Sequence, residues 1–89
     1  MTNLQTVINK IDSAFVCSTK VDFDGIFVDI NNLQKSEVWS SLTELQRKMF
    51  VIIPEMLRDA SKYGIDDAYG YASDLFATLK IDLHNANLI

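Results

Sequence analysis

The sequence predicts a predominantly α-helical fold, a small bundle of three to four helices. Apolar residues recur at three- and four-residue intervals over residues 4–15, 42–63 and 68–83. That spacing places them on one side of a helix, which a bundle can bury. The chain has 89 residues, of which 48% are apolar, and a chain of this length normally builds one core. We therefore expect a single helical domain spanning residues 1–89.

The first helix is predicted to begin after Thr2 or Asn3, either of which can cap it, and to end near Val16. Polar residues between the apolar ones are expected to face water. The apolar side is formed by Leu4, Val7, Ile8, Ile11, Ala14 and Phe15.

Residues 17–33 admit two interpretations. The favoured one is a short β-hairpin with strands at 21–23 and 26–30, because Asp24-Gly25 is typical of a tight turn between strands. An isolated hairpin is marginally stable in water and would need helices behind it. The alternative is a helical turn or a loop that lies over the bundle, with an inward side of Phe23, Ile26, Phe27 and Ile30.

The next helix begins at one of two places. Ser36 can cap it, or Ser41 and Glu44 can form a capping box with the helix starting at Leu42. Glu44 and Lys48 are then placed for a favourable ion pair one helical turn apart. The apolar side is formed by Leu42, Leu45, Met49, Ile53, Met56, Leu57, Ala60 and Tyr63, and is widened by Phe50, Val51 and Ile52.

Pro54 lies in the middle of this segment. It lacks the amide that would donate to the carbonyl of Phe50, which costs about 3 kcal/mol in a helix interior. Either the helix continues with a kink, or it breaks and Pro54 opens a new one. Because the apolar pattern keeps its phase across Pro54, we favour the continuous, kinked helix.

The last helix is predicted to follow Gly64, which suits the left-handed position after a helix end. Asp66 is expected to cap it, with Asp67 in its first turn. Gly70 would mark a close approach to another helix. The apolar side comprises Ala68, Tyr69, Ala72, Leu75, Phe76, Leu79 and Leu83.

Composition argues against several functions. Twelve acidic and eight basic residues give a net charge of −4, which opposes direct nucleic-acid binding. No apolar run is long enough to span a membrane, and the first residues do not resemble a leader peptide. With one cysteine, Cys17, there is no internal disulfide. We therefore expect a cytoplasmic protein.

Residues 20–31 align partly with a calcium-binding loop. Asp22, Asp24 and Gly25 fit, but Lys20 and Asn31 occupy positions that need carboxylates. We therefore expect Asp24-Gly25 to serve as turn residues.

Cys17 and His84 are the only candidates for a nucleophile and its base, and nothing in the sequence places them together. We predict no enzyme activity, no metal and no cofactor.

The predicted function is a small, non-enzymatic protein–protein interaction module, as a homodimer or docked on another protein. It would use an apolar helical face at residues 50–57 and nearby aromatics. The candidate residues are Trp39, Phe50, Ile53, Met56, Leu57 and Tyr69.

Two alternative functions remain open. In the first, an acidic inhibitor or immunity-type protein would mask a basic site on a toxin or nucleic-acid enzyme through Asp22, Asp24 and Asp29. In the second, a helical bundle would bind a small apolar ligand between its helices.

Overall fold

The computed structural model describes residues 3–16 and 21–89, and in these it contains five α-helices and no strand. The prediction of a small, all-α helical bundle is confirmed. Gly64 and Ile65 join the two longest helices, which form the most extensive helix pair. The helices are α1 (Leu4–Val16), α2 (Phe23–Gln34), α3 (Glu37–Ser40), α4 (Glu44–Tyr63) and α5 (Asp66–Asn85).

One hydrophobic core joins the four long helices. Its members extend from Leu4 in α1 to Leu83 in α5. Burying one large apolar side chain contributes about 1.5–3 kcal/mol to the free energy of unfolding. The largest side chains that are fully removed from solvent are Val7, Ile11, Leu33, Phe50, Ile53, Pro54, Leu79 and Leu83.

Helix α1 begins as predicted. Asn3 caps it, because its Oδ1 accepts a hydrogen bond from the amide of Thr6 at 2.8 Å. Thr2, the other candidate cap, lies outside the described residues. The helix is described as far as Val16, and its predicted apolar side is buried apart from half-buried Phe15.

The favoured hairpin at Asp24-Gly25 is wrong, because residues 23–34 form helix α2. Asp22 is the N-cap, and its Oδ1 accepts a hydrogen bond from the Gly25 amide at 2.9 Å. Asp24-Gly25 thus lies in the first turn of a helix. Ile26 and Ile30 are buried, as the helical alternative required. The segment forms a helix and not a hairpin because its apolar side chains then pack into a core formed by the other helices.

The segment before α4 is broken into two pieces. Ser36 precedes the short helix α3, but its side chain makes no capping bond and instead donates to the Leu33 carbonyl at 2.7 Å. The chain then leaves the helical conformation before Thr43. The prediction that Ser36 caps the long helix is therefore wrong.

Thr43 and Gln46 form the capping box of α4, where Ser41 and Glu44 were predicted. The Gln46 amide donates to Thr43 Oγ1 at 3.1 Å, and the Thr43 amide donates to Gln46 Oε1 at 2.9 Å. The predicted pair of Glu44 and Lys48 is present, with 3.5 Å between Nζ and Oε1.

Helix α4 continues through Pro54, which confirms the prediction of a single helix. The pyrrolidine ring is fully buried. Its contacts with the core offset part of the cost of the missing backbone hydrogen bond.

Helix α5 begins as predicted after a left-handed glycine, with Gly64 at φ 67°. The N-cap is Ile65, one residue earlier than predicted, so Asp66 and Asp67 both lie in the first turn. A methyl group at Gly70 would meet no neighbouring atom within 4 Å, so the predicted close helix approach there is wrong.

Within residues 3–16 and 21–89, no helix combines the length and apolarity needed to cross a bilayer.

Candidate interaction surface

The apolar face predicted for interaction lies mostly in the core. Phe50 and Ile53 are 0% exposed and Leu57 is 3% exposed. Of the four α4 candidates Phe50, Ile53, Met56 and Leu57, Met56 alone reaches the surface, as a half-buried side chain, and Ile52 within the same segment is 41% exposed. Phe50, Ile53 and Leu57 therefore hold the monomer together and offer no contact to a partner.

Trp39 fixes α3 against α4. Its ring centroid lies 6.0 Å from that of Phe50, and the side chain is half-buried. Arg47 Nε donates to the Trp39 carbonyl at 3.0 Å, and Arg47 Nη2 donates to the Ser40 carbonyl at 3.1 Å. Arg47 thus satisfies carbonyls at the end of α3.

Tyr69 links α5 to the end of α1. Its hydroxyl donates to the Phe15 carbonyl at 2.6 Å, and the two rings meet edge to face at 5.5 Å. The Phe15 ring also stacks on Phe76, with centroids 5.3 Å apart. Since Tyr69 keeps 38% of its surface exposed, it belongs partly to the core and partly to the surface.

Two of the three candidate acidic residues already have partners in the chain. Asp22 caps α2, and Asp29 forms an ion pair with Lys10 of α1. Asp24 is exposed in the first turn of α2, where the helix dipole favours an acid. Because of these internal roles, the structure offers the acidic-inhibitor hypothesis little additional support.

A cleft of ≈ 630 Å³ opens beside the end of α1. Its apolar wall includes Phe15, Phe23 and Leu57, and Asp66 lies at its rim. This is the place where the apolar-ligand hypothesis would put its ligand. Val16 and Val21, which flank the undescribed residues 17–20, also line the cleft.

The candidates for catalysis and metal binding are not brought together. His84 is exposed in the last turn of α5. Cys17 and Lys20 lie outside the described residues. Among the residues that are described, no three His, Cys, Asp or Glu side chains are grouped so that they could hold a metal ion.

The structure exposes a different apolar surface on α4. Leu45 is 63% exposed, Ile52 41% and Tyr63 65%, with Met56 half-buried beside them. We call Leu45, Ile52, Met56 and Tyr63 the α4 strip. The sequence pattern assigned Leu45 and Tyr63 to the core because they share the helical spacing of Met49. The residues of the α4 strip are separated by four or seven positions. This spacing was the feature of the sequence that could have indicated a second apolar side of the helix.

Comparison with known proteins found no relative. No family model matches the chain, and no curated protein or solved structure matches it significantly. No function is therefore transferred from another protein.

Proposed function

We propose that this protein is a small, non-enzymatic interaction module that pairs with a second copy of itself through the α4 strip. The observation that carries the proposal is the alignment of four apolar side chains along an exposed flank of a helix whose adjoining side is in the core. The chain's lone cysteine suits a reducing compartment, and we place the module in the cytoplasm.

The residues of the α4 strip are aligned along the helix. At about 100° per residue, Leu45, Ile52, Met56 and Tyr63 fall within ~40° of one another around the helix axis, over a length of ~27 Å. The steps between these residues are seven, four and seven. This is the spacing of a seam along which two helices pack side by side.

Such a strip is unusual on a side of the helix that the monomer leaves exposed. Single exposed apolar residues are common on protein surfaces, but a contiguous apolar surface marks a contact site. Pairing removes this surface from water at about 25 cal/mol for each Å² buried.

The side chains of the strip suit a contact between proteins. Leu45 and Ile52 are aliphatic, Met56 adapts its shape to a neighbour, and Tyr63 can keep its hydroxyl in water while its ring packs. A chain of 89 residues buries only ~60–65% of the surface of its unfolded form, so association adds apolar burial that the monomer lacks.

The solution mass tests this proposal. We expect light scattering on a sizing column to give twice the chain mass of 10.1 kDa. The protein should be measured at ~1 and ~200 µM, which bracket an interface with a Kd of about 10 µM. The dimer should persist in high salt, because apolar contacts dominate the strip.

Ile52→Asp should make the protein monomeric without unfolding it. A matched control is Ile81→Asp, the same substitution at an isoleucine of α5 that is 60% exposed and off the strip. This control should remain dimeric. A wild-type monomer at both concentrations, or equal loss of the dimer in both variants, would overturn the proposal.

A further inference from the structure

Resting on the proposed self-association, we infer that two copies pair with their α4 helices antiparallel. The two-fold axis would pass close to the middle of α4, near Ile53 and Pro54. Two sets of residues on α4, one apolar and one charged, are arranged about this midpoint.

The apolar residues are placed symmetrically in the helix. Leu45 precedes Pro54 by as many residues as Tyr63 follows it, and the same is true of Ile52 and Met56. An antiparallel pair therefore places Leu45 beside Tyr63 of the second copy, and Ile52 beside Met56 of the second copy. A parallel pair would instead stack two Tyr63 rings at one end and two Leu45 side chains at the other.

Charged residues on one edge of the strip show the same arrangement. Lys48 lies as far before the Ile53–Pro54 bond as Asp59 lies after it. Both are ~40–60° from the strip centre, on the same side of it. In an antiparallel pair, the two-fold axis is perpendicular to the helices and places this edge of one copy against the same edge of the other. Lys48 then meets Asp59 of the second copy, and the contact occurs twice.

Both side chains reach solvent, and within the monomer Lys48 pairs with Glu44 and Asp59 with Arg58. The Lys48 side chain is 64% exposed, and that of Asp59 is 47% exposed. Glu44 and Lys62, farther out on the same edge, repeat the opposite-charge pattern. Glu55 lies nearest the axis and meets Glu55 of the second copy. This is one repulsive contact, and the attractive contacts outnumber it. In a parallel pair, this edge would face the opposite edge of the second copy, so Lys48 and Asp59 would not meet each other.

Charge reversal tests the antiparallel geometry. Lys48→Glu and Asp59→Lys should each raise the dimer Kd about tenfold, because each exchanges two attractive contacts for two repulsive ones. Lys48→Glu makes the net charge more negative, whereas Asp59→Lys makes it less negative. If both variants raise the dimer Kd, the change in net charge is therefore not the cause. Lys35→Glu, in an exposed position after α2, is the matched control and should leave the Kd unchanged.

Restoring the pairs completes the test. The double variant Lys48→Glu/Asp59→Lys should regain the wild-type Kd, and an equal mixture of the two single variants should form a mixed dimer. Circular dichroism on each variant verifies that the helices remain. A dimer whose Kd neither single variant changes, or that the double variant does not restore, overturns the antiparallel geometry and leaves the proposed function standing. A wild-type monomer overturns both.

Discussion

Tyr69 joins two helices that are distant in the sequence. Its hydroxyl donates to the Phe15 carbonyl at 2.6 Å, in the last described turn of α1. Its ring packs against the Phe15 ring at the same time. One side chain therefore both bonds to the backbone of α1 and packs against the Phe15 ring.

Tyr69→Phe removes the hydrogen bond and keeps the ring. We expect the free energy of unfolding to fall by about 1 kcal/mol, since an intramolecular hydrogen bond contributes about 0.5–1.5 kcal/mol. Urea denaturation followed by circular dichroism measures the change. Tyr71→Phe, at a tyrosine that is 60% exposed, should change stability by less than about 0.5 kcal/mol. Equal losses in the two variants would show that the Tyr69 bond is not the cause.

At the scale of single residues, sequence patterns placed most buried side chains well. Val7 and Ile11 of α1, and Leu79 and Leu83 of α5, are 0% exposed as their spacing predicted. The role of Tyr69 could not be predicted in this way. Its partner Phe15 lies 54 residues away, and helical spacing holds no information on such distant pairs.

Helix starts are decided by local hydrogen bonds, and α4 is the clearest case. Both Ser41 and Thr43 are followed three residues later by a side chain that can complete a capping box. The structure uses Thr43 with Gln46, and Gln46 is buried. Two overlapping motifs were therefore present, and the position of α3 selected between them.

Thr43→Ala should lower the free energy of unfolding by about 1 kcal/mol, the usual effect of losing an N-cap. Thr43→Ser should retain most of this stability because it keeps the hydroxyl. Ser41→Ala is the matched control at the rejected position and should stay within about 0.5 kcal/mol of the wild type. Chemical denaturation of the three variants measures these effects. A larger loss from Ser41→Ala than from Thr43→Ala would contradict the observed cap.

At the scale of the whole molecule, stability is expected to depend on protein concentration. If the α4 strip pairs two folded copies, mass action stabilises the folded state as concentration rises. We expect the Tm to increase by about 2–4 °C for each tenfold increase in concentration. Differential scanning calorimetry over a hundredfold range measures this slope.

The Ile52→Asp variant should lose the concentration dependence, while Ile81→Asp should keep it. A flat wild-type slope would show that the folded chain gains nothing from a second copy. An undiminished slope in Ile52→Asp would show that association uses a surface other than the α4 strip.

The sequence by itself determined that the chain is helical, where α1 begins and that α4 continues through Pro54. These properties follow from side-chain periodicity and backbone chemistry, which act within one segment. Tertiary structure decided that Phe23 to Gln34 is a helix and that Leu45, Ile52 and Tyr63 stay exposed. Periodicity identifies which residues share a side of a helix, whereas burial depends on which sides the other helices cover.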